Sequence, residues 1–482
     1  MVQNLLLELR VEELPPKALR KLGEAFGEQL LASLRAHGLA TPASQLTCFA
    51  SPRRLAAHIT DVASAAADKA VSVKLMPVAV GLGADGQATP ALLKKLAAVG
   101  AGAGADAVPA LRRAQDGKAE ALFWDSTQRG ATLAEGLQKA LDDALAKLPI
   151  PKVMQYQLAD GWTSVHFVRP AHGLVALHGA ETVPVSALGL QSGRTTQGHR
   201  FEALRPEITL EHADRYTQQL ADEGAVIASF SERRAEMVRQ LQEKAAVLGL
   251  QPIDDEALLD EVAALVERPH VLLCEFEPEF LAVPQECLIL TMKANQKYFP
   301  LLDAQGRLTH RFLIVSNIRP ADASRVIQGN ERVVRPRLAD AKFFFDQDRK
   351  RSLASRVPGL AKVVYHNKLG TQGERIDRVR QIARQIGERL DGLTLADLAD
   401  EAATLAKADL LTDMVGEFPE LQGVMGAYYA RHDGLRDSIA DAIEDHYKPR
   451  FAGDSLPRGE VGLVVALADK LETLAGLFGI GQ

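Results

Sequence analysis

Lys407-Ala408-Asp409-Leu410 is the stretch that decides how the C-terminal third of this chain folds and what it can do. The sequence around it is helical by pattern over three segments, residues 375–390, 395–415 and 462–477. His366 precedes the stretch by about one helix hairpin, and Asp469 lies far downstream. We therefore predict an all-helical domain that holds one imidazole and two carboxylates at related positions.

This pattern resembles the metal site of the all-helical phosphohydrolases of the HD superfamily. Those proteins hold a divalent ion with a first His, a His-Asp pair about one helix hairpin later and a distant Asp. Here Ala408 stands where the His of the pair would be, and alanine has no lone pair. The resemblance implies a degenerate site at His366, Asp409 and Asp469, without the nitrogen ligand that favours transition metals. We therefore predict no metal site.

An alternative for the same three residues is a surviving metal-dependent phosphohydrolase or an editing module. His366, Asp409 and Asp469 could still gather a hard ion such as magnesium, which accepts carboxylates and water. In the structural interpretation, which we favour, His366 is a packed residue and Asp409 joins two helices.

Length and composition predict a soluble globular protein of about three domains. The chain has 482 residues, of which 47% are hydrophobic and 24% charged, and these are ordinary values for such proteins. We place the domains at residues 1–150, 151–335 and 336–482. The first two should be mixed α/β domains and the third all-helical and HD-like, so the predicted fold class is α+β.

The N-terminal domain should begin with a strand, a helix and two strands, at residues 4–11, 16–38, 46–50 and 55–59. Residues 79–118 are rich in Ala and Gly, so we predict loops or mobile linkers there. Within them, Gly81-Leu82-Gly83-Ala84-Asp85-Gly86 matches a dinucleotide fingerprint, but Gln87-Ala88-Thr89-Pro90 separates it from any helix. A tight turn at Asp85-Gly86 is the simpler interpretation.

Three further local signals lie downstream. Thr132 and Glu135 form a capping box for a helix over residues 132–148. Ser231 should cap a helix that ends near residue 248. Residues 298–302 and 307–316 should pair as a hairpin.

The sequence predicts a cytoplasmic protein without membrane contact. Three cysteines, Cys48, Cys274 and Cys287, are too few and too scattered for a disulfide framework, which is typical of a reducing compartment. Glu8 and Arg10 interrupt the short apolar run at the N-terminus, so no signal peptide is predicted. No apolar stretch is long enough to span a bilayer.

Charge is distributed unevenly along the chain. The whole sequence has a formal net charge of -6, yet residues 293–375 contain 17 Lys plus Arg against 7 Asp plus Glu, a net of +10 that leaves -16 elsewhere. An acidic protein with one strongly basic region has the asymmetry that binding of a polyanion requires. A set of solvated helix faces gives the same count, so both interpretations stay open.

Lys293 and Lys297 are the first candidate RNA-binding residues of this region. They lie beside the aromatic pair Tyr298-Phe299, and such mixtures bind single-stranded RNA because cations meet phosphates while rings stack on bases. The alternative is a strand that divides the two rings between core and surface.

A helix that follows carries four more candidates, Arg332, Arg335, Arg337 and Lys342. Pro336 suits its first turn, and Leu338, Ala341 and Phe345 form its inward stripe. This phase leaves Lys342 on a solvent face.

A polar loop of residues 191–200 contains the remaining candidates, Arg194, His199 and Arg200. Its glycines would let backbone amides contact a phosphate while the arginines neutralise it. A plain surface connection explains the same composition, since most loops carry no ligand.

Along nearly its whole length, the chain resembles the β subunits of bacterial heterotetrameric glycyl-tRNA synthetases. The matching stretches are Glu12-Glu13-Leu14-Pro15-Pro16, Ser51-Pro52-Arg53-Arg54-Leu55, Leu148-Pro149-Ile150-Pro151-Lys152, Phe167-Val168-Arg169-Pro170, Ser192-Gly193-Arg194-Thr195-Thr196, Gly198-His199-Arg200, Gln296-Lys297-Tyr298-Phe299-Pro300 and Gly416-Glu417-Phe418-Pro419-Glu420-Leu421-Gln422-Gly423. So many matches in the same order identify the chain as a member of that family.

The resemblance implies a subunit of glycine-tRNA ligase that binds tRNA(Gly) and assembles with an α subunit as an α2β2 heterotetramer. In that family α carries the class II active site, so ATP and Mg are expected on the partner, with no cofactor and no catalytic residue on this chain. This agrees with the sequence, which has neither the HIGH and KMSKS signatures of class I synthetases nor a class II arginine and glycine motif. The family pattern continues past Gln482 into a helical anticodon-binding domain. A purely architectural role, in which an apolar helix face mediates dimerisation or docks α, is a further alternative.

Overall fold

The computed structural model describes residues 1–83, 85–100, 105–116 and 119–482, and these form two compact units. The N-terminal unit contains Met1–Met237 and Leu259–Pro269, and the C-terminal unit contains Val238–Leu258 and His270–Gln482. Strands and helices occur in both, and helices dominate the C-terminal part, so the predicted α+β class is confirmed. The domain boundaries at residues 150 and 335 stay predictions, as does the HD-like identity.

A five-stranded antiparallel sheet lies at the centre of the N-terminal unit. The unit has further strands outside this sheet, and its strands and helices are numbered in chain order. Its strands are β1 (Val2–Val11), β2 (Leu46–Ser51), β3 (Arg54–Ala63), β4 (Lys69–Pro77), β5 (Arg112–Asp116), β6 (Ala119–Gln128), β7 (Met154–Gln157), β8 (Ser164–Phe167), β9 (Ala171–His178), β10 (Glu181–Thr182), β11 (Ser186–Ala187), β12 (Leu190–Gln191), β13 (Thr195–Gln197) and β14 (Glu207–Thr209). Its helices are α1 (Pro16–Ala36), α2 (Val78–Gly81), α3 (Pro90–Ala98), α4 (Leu133–Lys147) and α5 (Tyr216–Asp222). The strand order in the central sheet is β10-β9-β1-β3-β2.

β1 is the middle strand of this sheet, and it is buried on both faces. Leu5 and Leu7 pack into a core with α1 and α4, whereas Leu6 packs with Tyr216 in a second core on the other face. Alternate residues of a strand point to opposite faces. Glu8 therefore lies on the same face as Leu6, where it is buried. A carboxylate placed there needs partners, because burying an unpaired charge is costly.

The prediction of loops over residues 79–118 is wrong for the described part of that segment. β4, β6 and β5 form a three-stranded antiparallel sheet, and α2 and α3 pack against it. The buried core of this layer consists of four leucines, Leu75, Leu92, Leu96 and Leu122. Two of the four lie outside the Ala/Gly-rich segment, so neighbouring sequence supplies the apolar bulk that the segment lacks.

The tight turn predicted at Asp85-Gly86 is confirmed. The Gly86 N–H donates to the Gly83 carbonyl at 2.9 Å, and Gly86 has a φ of +76°, which favours glycine. The structure does not describe Ala84, the fourth position of the fingerprint match, nor residues 101–104 of the later glycine run.

The C-terminal unit begins with a four-stranded sheet and continues as helices. Its strands are β15 (Gln251–Pro252), β16 (His270–Glu275), β17 (Phe299–Leu302), β18 (Leu308–Ser316), β19 (Val364–His366) and β20 (Gly370–Thr371), in the sheet order β15-β17-β18-β16 with β19-β20 apart. Its helices are α8 (Gln285–Gln296), α9 (Ser324–Asp348), α10 (Gln372–Leu405), α11 (Asp413–Glu417), α12 (Val424–His432), α13 (Asp437–Asp445) and α14 (Gly459–Gly479). Two helices, α6 (Phe230–Ala246) and α7 (Glu256–Ala263), contribute residues to both units. The predicted hairpin is β17–β18.

α9 is longer than predicted, because it begins at Ser324 and runs through Pro336. The prediction that Pro336 lies in the first turn is therefore wrong. A proline inside a helix removes one backbone hydrogen bond and crowds the preceding turn. Val334 and Leu338 are buried on either side of it, while Pro336 itself is exposed. Packing of one continuous apolar face thus holds the helix together across the proline.

α14 carries an exposed apolar stripe in addition to its buried face. The stripe consists of large apolar residues at helical spacing, Leu463, Leu467, Leu471, Leu474 and Phe478. None of the helices in the described parts of the chain has the length and apolar content that a membrane crossing requires. A contiguous apolar surface of this kind is typical of an interaction site.

Candidate nucleic-acid interface

α9 presents one exposed face that carries cations and an aromatic ring. At about 100° per residue, Arg325, Arg332 and Phe343 fall within about 40° of one line along the helix. All three are exposed, on the side opposite the buried Val334 and Leu338. Arg325 and Phe343 are absent from the predicted set. The predicted helix begins near Pro336, so Arg325 lies outside it and its alignment with Arg332 and Phe343 cannot be seen.

Arg332 and Arg337 are the two predicted cations of this helix that have no partner. Both are exposed, and neither makes a hydrogen bond or ion pair with any residue that the structure describes. Their guanidinium groups are therefore available to an incoming phosphate, which can accept two parallel hydrogen bonds from each.

Arg335 and Lys342 are each paired with a carboxylate at the surface. Arg335 Nε lies 2.5 Å from Glu277 Oε1, and Lys342 Nζ lies 2.5 Å from Asp346 Oδ2. Exposed ion pairs contribute about 0–1 kcal/mol. A phosphate could therefore replace either carboxylate at little cost in free energy.

Lys293 and Lys297 are tied to local structure. Lys293 pairs with Asp255. Lys297 ends α8 in the left-handed conformation, with a φ of +59°, and its Nζ donates to the Ala294 carbonyl at 3.0 Å. Both side chains are only partly exposed.

The hypothesis that Tyr298 and Phe299 stack on bases is wrong, because both rings are buried. Tyr298 stacks on Phe312 with ring centroids 5.0 Å apart, and its hydroxyl donates to Asn330 at 2.7 Å. The alternative that divides the rings between core and surface is also wrong, because packing surrounds both rings.

The loop of residues 191–200 uses its backbone amides inside the protein. The N–H groups of Ser192, Gly193 and His199 donate to the carbonyls of Val185, Leu174 and Gly224. Those amides are therefore not free to bind a phosphate.

The three candidate side chains of this loop have separate environments. Arg194 Nη2 donates to the Ala180 carbonyl at 2.6 Å. His199 is buried and Arg200 is exposed. Only the last two reach a common cavity.

Three stretches that carried the family resemblance meet around that cavity, in the N-terminal unit. It has a volume of about 550 Å³, and the charged or titratable groups on its wall are those of Arg10, Glu12, Arg53, His172, His199 and Arg200. β1 pairs with β9 so that Arg10 lies opposite Gly173, and with β3 so that Arg10 lies opposite Arg54. Sequence reasoning missed this grouping, because strand pairing brings together Arg10, Arg53 and His172, which are far apart along the chain.

Next to the cavity, Arg54 is fully buried and pairs with two carboxylates. Its Nη1 lies 3.4 Å from Glu8 Oε2, and its Nη2 lies 3.4 Å from Glu267 Oε1. Glu8 also accepts hydrogen bonds from the hydroxyls of Thr196 and Tyr216. Burial, followed by the charge of Glu8, raises the pKa of Tyr216 well above its usual value, so its hydroxyl stays a donor. These contacts fix the wall of the cavity.

The three HD positions do not form a metal-binding group. Across residues 1–83, 85–100, 105–116 and 119–482, no three His, Cys, Asp or Glu side chains are close enough to hold an ion. His366 ends β19, where its Nδ1 accepts the Lys368 N–H at 3.1 Å. Asp409 is fully buried, and its Oδ2 accepts the N–H groups of Gly423 and Gly426 at 2.5 and 3.0 Å. Burial raises the pKa of Asp409 to about 6, against the effect of these hydrogen bonds.

Asp469, on α14, is neutralised by cations of the chain itself. Its Oδ1 lies 3.0 Å from Arg375 Nη2 and 3.6 Å from Lys407 Nζ. Lys407 Nζ also lies 3.7 Å from the centroid of the Tyr447 ring, which is a cation–π contact. Burial lowers the pKa of Lys407 to about 8, although Asp469 opposes that shift. Two positive groups beside Asp469 would repel a divalent ion, so the geometry does not favour the phosphohydrolase alternative.

Comparison with known proteins gives a consistent result. A family model described as glycyl-tRNA synthetase beta subunit matches residues 5–482. The glycine–tRNA ligase beta subunit of Leptothrix cholodnii is 73% identical over 99% of this chain and 69% of that protein. Those of Paracidovorax citrulli and Dechloromonas aromatica are both 72% identical, over 99% and 100% of this chain and 68% of each relative. The chain therefore belongs to the glycyl-tRNA synthetase β subunit family.

Proposed function

We propose that this member of the family is the noncatalytic, tRNA-binding subunit of glycine–tRNA ligase. That enzyme joins glycine to tRNA(Gly) with ATP and releases AMP and diphosphate. We place the catalytic site, with ATP and Mg, on a partner α subunit within a cytoplasmic α2β2 heterotetramer. The name of the relatives, beta subunits of glycine–tRNA ligase, supports the presence of an α partner.

The observation that carries the tRNA-binding role is the pair of exposed arginines on α9 that are unpaired among the described residues. Arg332 and Arg337 point unpaired guanidinium groups to solvent in a region whose net charge is +10. Neutralising phosphates releases counterions, and this is the main source of affinity in nucleic-acid binding. Phe343, exposed on the same face as Arg332, offers a ring for stacking.

Binding at such a surface contributes to the reaction through position. Aminoacylation requires the 3′ end of the tRNA close to an activated amino acid, and correct placement alone can lower the barrier substantially. The double-stranded part of the acceptor arm is recognised mainly by shape and backbone contacts. A subunit with cations and no reacting group is suited to that task.

The test is a salt titration of tRNA(Gly) binding with charge-reversed variants. Arg332→Glu combined with Arg337→Glu should weaken binding about tenfold to a hundredfold at low salt and reduce the slope of log K against log salt by about 1–2, because fewer counterions are released. Arg389→Glu is the matched control, since Arg389 is an exposed arginine on α10 without a partner among the described residues. Equal effects of the α9 variants and the control would remove α9 from the interface.

The exposed stripe of α14 favours a second role, docking of the α subunit. Leu467 and Leu471 lie one turn apart in its middle. We expect Leu467→Glu with Leu471→Glu to abolish co-purification with α while tRNA binding by the chain alone is retained. Retention of α by this variant would assign the docking surface elsewhere.

A further inference from the structure

We propose that the cavity of the N-terminal unit binds the phosphate of a nucleotide, with the base placed against Phe201. This goes beyond the role proposed for α9, because it uses different residues in the other unit. The shared chemistry is a phosphate monoester or diester next to a planar base. Its source is either a free mononucleotide or one nucleotide of an RNA chain.

The cavity wall carries more cations than its own carboxylates can neutralise. Three guanidinium groups, those of Arg10, Arg53 and Arg200, face one carboxylate, that of Glu12. Glu12 is already held by His172 Nε2 at 2.9 Å, with Arg200 Nη2 at 3.9 Å. Arg53 pairs with Glu267 at 2.7 Å.

Arg10 is the cation left over. It is half-buried, its Nη2 donates only to the His172 carbonyl at 3.2 Å, and it has no ion pair with any described carboxylate. Burial lowers the pKa of Arg10, and the nearby charges of Arg54 and Arg53 act in the same direction, against those of Glu8 and Glu12. An anion in the cavity would supply the missing counter-charge.

His199 adds a hydrogen-bond donor that has no acceptor. Its Nδ1 accepts the backbone N–H groups of Phe201 and Glu202, both at 3.2 Å, so a neutral ring carries its proton on Nε2. Nε2 is buried and has no hydrogen-bond partner among the described residues. Buried donors are nearly always satisfied, and a phosphate oxygen is a suitable acceptor. Gly198 lets the backbone before His199 approach Gly224 closely, because a Cβ there would lie 2.6 Å from Gly224 Cα.

Phe201 supplies the surface that a base requires. Its ring lines the cavity, is mostly exposed and has its centroid 6.3 Å from that of His199. A single nucleotide can bridge that separation, with its phosphate at the histidine and its base on the phenylalanine. The volume of about 550 Å³ also lies within the range of small-molecule sites, roughly 300–1,000 Å³. Exposed aromatic rings beside cations are the usual platform for bases.

The experiment is isothermal titration of the chain with AMP, CMP, GMP and UMP, with adenosine and inorganic phosphate as part-ligands. We expect one saturable site for at least one mononucleotide and binding at least tenfold weaker for either part-ligand. Arg10→Met and Phe201→Ala should each weaken that binding tenfold or more. Arg205→Met is the matched control, because Arg205 is exposed on the same loop but does not line the cavity. Because Phe201 is exposed, we expect Phe201→Ala to fold normally. This variant therefore tests the proposal even if Arg10→Met does not fold.

Competition with tRNA(Gly) distinguishes the two sources of the nucleotide. If tRNA displaces the bound mononucleotide, and Arg10→Met weakens tRNA binding, the natural ligand is a nucleotide of RNA. If tRNA does not compete, the ligand is a free nucleotide. Absence of saturable binding by all four mononucleotides, together with tRNA binding that is unaffected by Arg10→Met and Phe201→Ala, would overturn the proposal. The α9 variants report on the proposed function separately, because they leave this cavity intact.

Discussion

Each unit buries a cluster of charged side chains, and the two clusters neutralise their carboxylates differently. In the N-terminal cluster, formed by Glu8, Arg53, Arg54, Thr196, Tyr216 and Glu267, both carboxylates have guanidinium partners. In the C-terminal cluster, formed by Arg375, Lys407, Asp409, Tyr447 and Asp469, the cations lie beside Asp469. Asp409 has only backbone N–H donors, and its Oδ1 has no hydrogen-bond partner among the described residues.

This difference shifts the pKa values of two buried carboxyl groups, those of Glu267 and Asp409, in opposite directions. Burial acts to raise the pKa of Glu267, but the charges of Arg54 and Arg53 outweigh it, so the pKa is lowered. Asp409 is equally buried, yet its pKa is raised to about 6, because two N–H donors and the nearby charge of Lys407 do not offset the burial. Guanidinium groups in direct contact therefore stabilise a buried carboxylate more than backbone donors and a more distant ammonium do.

The largest effect should come from breaking the N-terminal cluster. Glu8→Gln removes one of the two negative charges that compensate Arg54, and loss of one partner from a buried ion pair costs about 3–5 kcal/mol in the free energy of unfolding. Hydrogen exchange of peptides from β1, followed as a function of denaturant concentration, would measure this loss in the free energy of unfolding. Glu24→Gln is the control, because Glu24 pairs with Arg20 at the surface, where we expect about 0–1 kcal/mol. Similar losses for both variants would contradict the comparison.

Lys407 should give the C-terminal cluster an alkaline pH dependence. Its pKa is about 8 in the folded protein against 10.5 in the unfolded chain, so the unfolded chain binds more protons between these values. The free energy of unfolding should therefore rise by about 2–3 kcal/mol from pH 8 to pH 10.5 through this group. Lys407→Met should lack that rise, whereas Lys362→Met, at an exposed position, should keep it. Identical pH profiles for the two variants in urea denaturation would refute this assignment.

Asp409→Asn should be tolerated, and more easily at high pH. The pKa of Asp409 is about 6 in the folded protein, above the usual 3.8. The free energy of unfolding of the wild-type protein therefore falls through this group as the pH rises from about 4 to 6. The amide keeps an acceptor for Gly423 and Gly426 without a charge, and we expect a gain of about 1 kcal/mol at pH 7.5 that vanishes at pH 4.5. Asp377→Asn, at an exposed aspartate, should show no such pH-dependent gain. Thermal unfolding at both pH values would detect the difference, and a loss of stability at pH 7.5 would contradict it.

The smallest effect should follow treatment with a chelator. Asp409 is bound by backbone N–H groups and Asp469 by Arg375 and Lys407, so neither carboxylate requires an ion. We expect the melting temperature of the metal-free chain to stay within 1 °C or so of that measured with millimolar magnesium, since binding stabilises only in proportion to affinity. A large upward shift with magnesium would restore the metal-site alternative.

Local sequence signals predicted local structure well. The capping box at Thr132 and Glu135 is present, because both of its hydrogen bonds depend on residues three apart. The cap of α6 was placed two residues too late, since Ser229 rather than Ser231 accepts the Glu232 N–H. Neighbouring serines carry the same capping potential, so sequence alone does not separate them.

Features that depend on distant residues were predicted less well. Pro336 and the pair Tyr298-Phe299 were misplaced because tertiary packing, and not propensity, determines their environment. The cavity was missed because its wall combines Arg10 and His172 from strands that are far apart in the sequence. The role of Lys407 was also missed. The HD pattern specifies only residues that bind a metal, whereas Lys407 neutralises Asp469 with its own positive charge.

Below its pKa of about 8, Lys407 gives the C-terminal cluster a cation that is covalently part of the chain. A bound metal is lost on dilution or when the cell is starved of it, and its identity changes with supply. The amine of a buried side chain, 3.6 Å from Asp469, is present in every translated chain and cannot dissociate from it. We therefore expect assembly of this helical region not to depend on the supply of a metal ion.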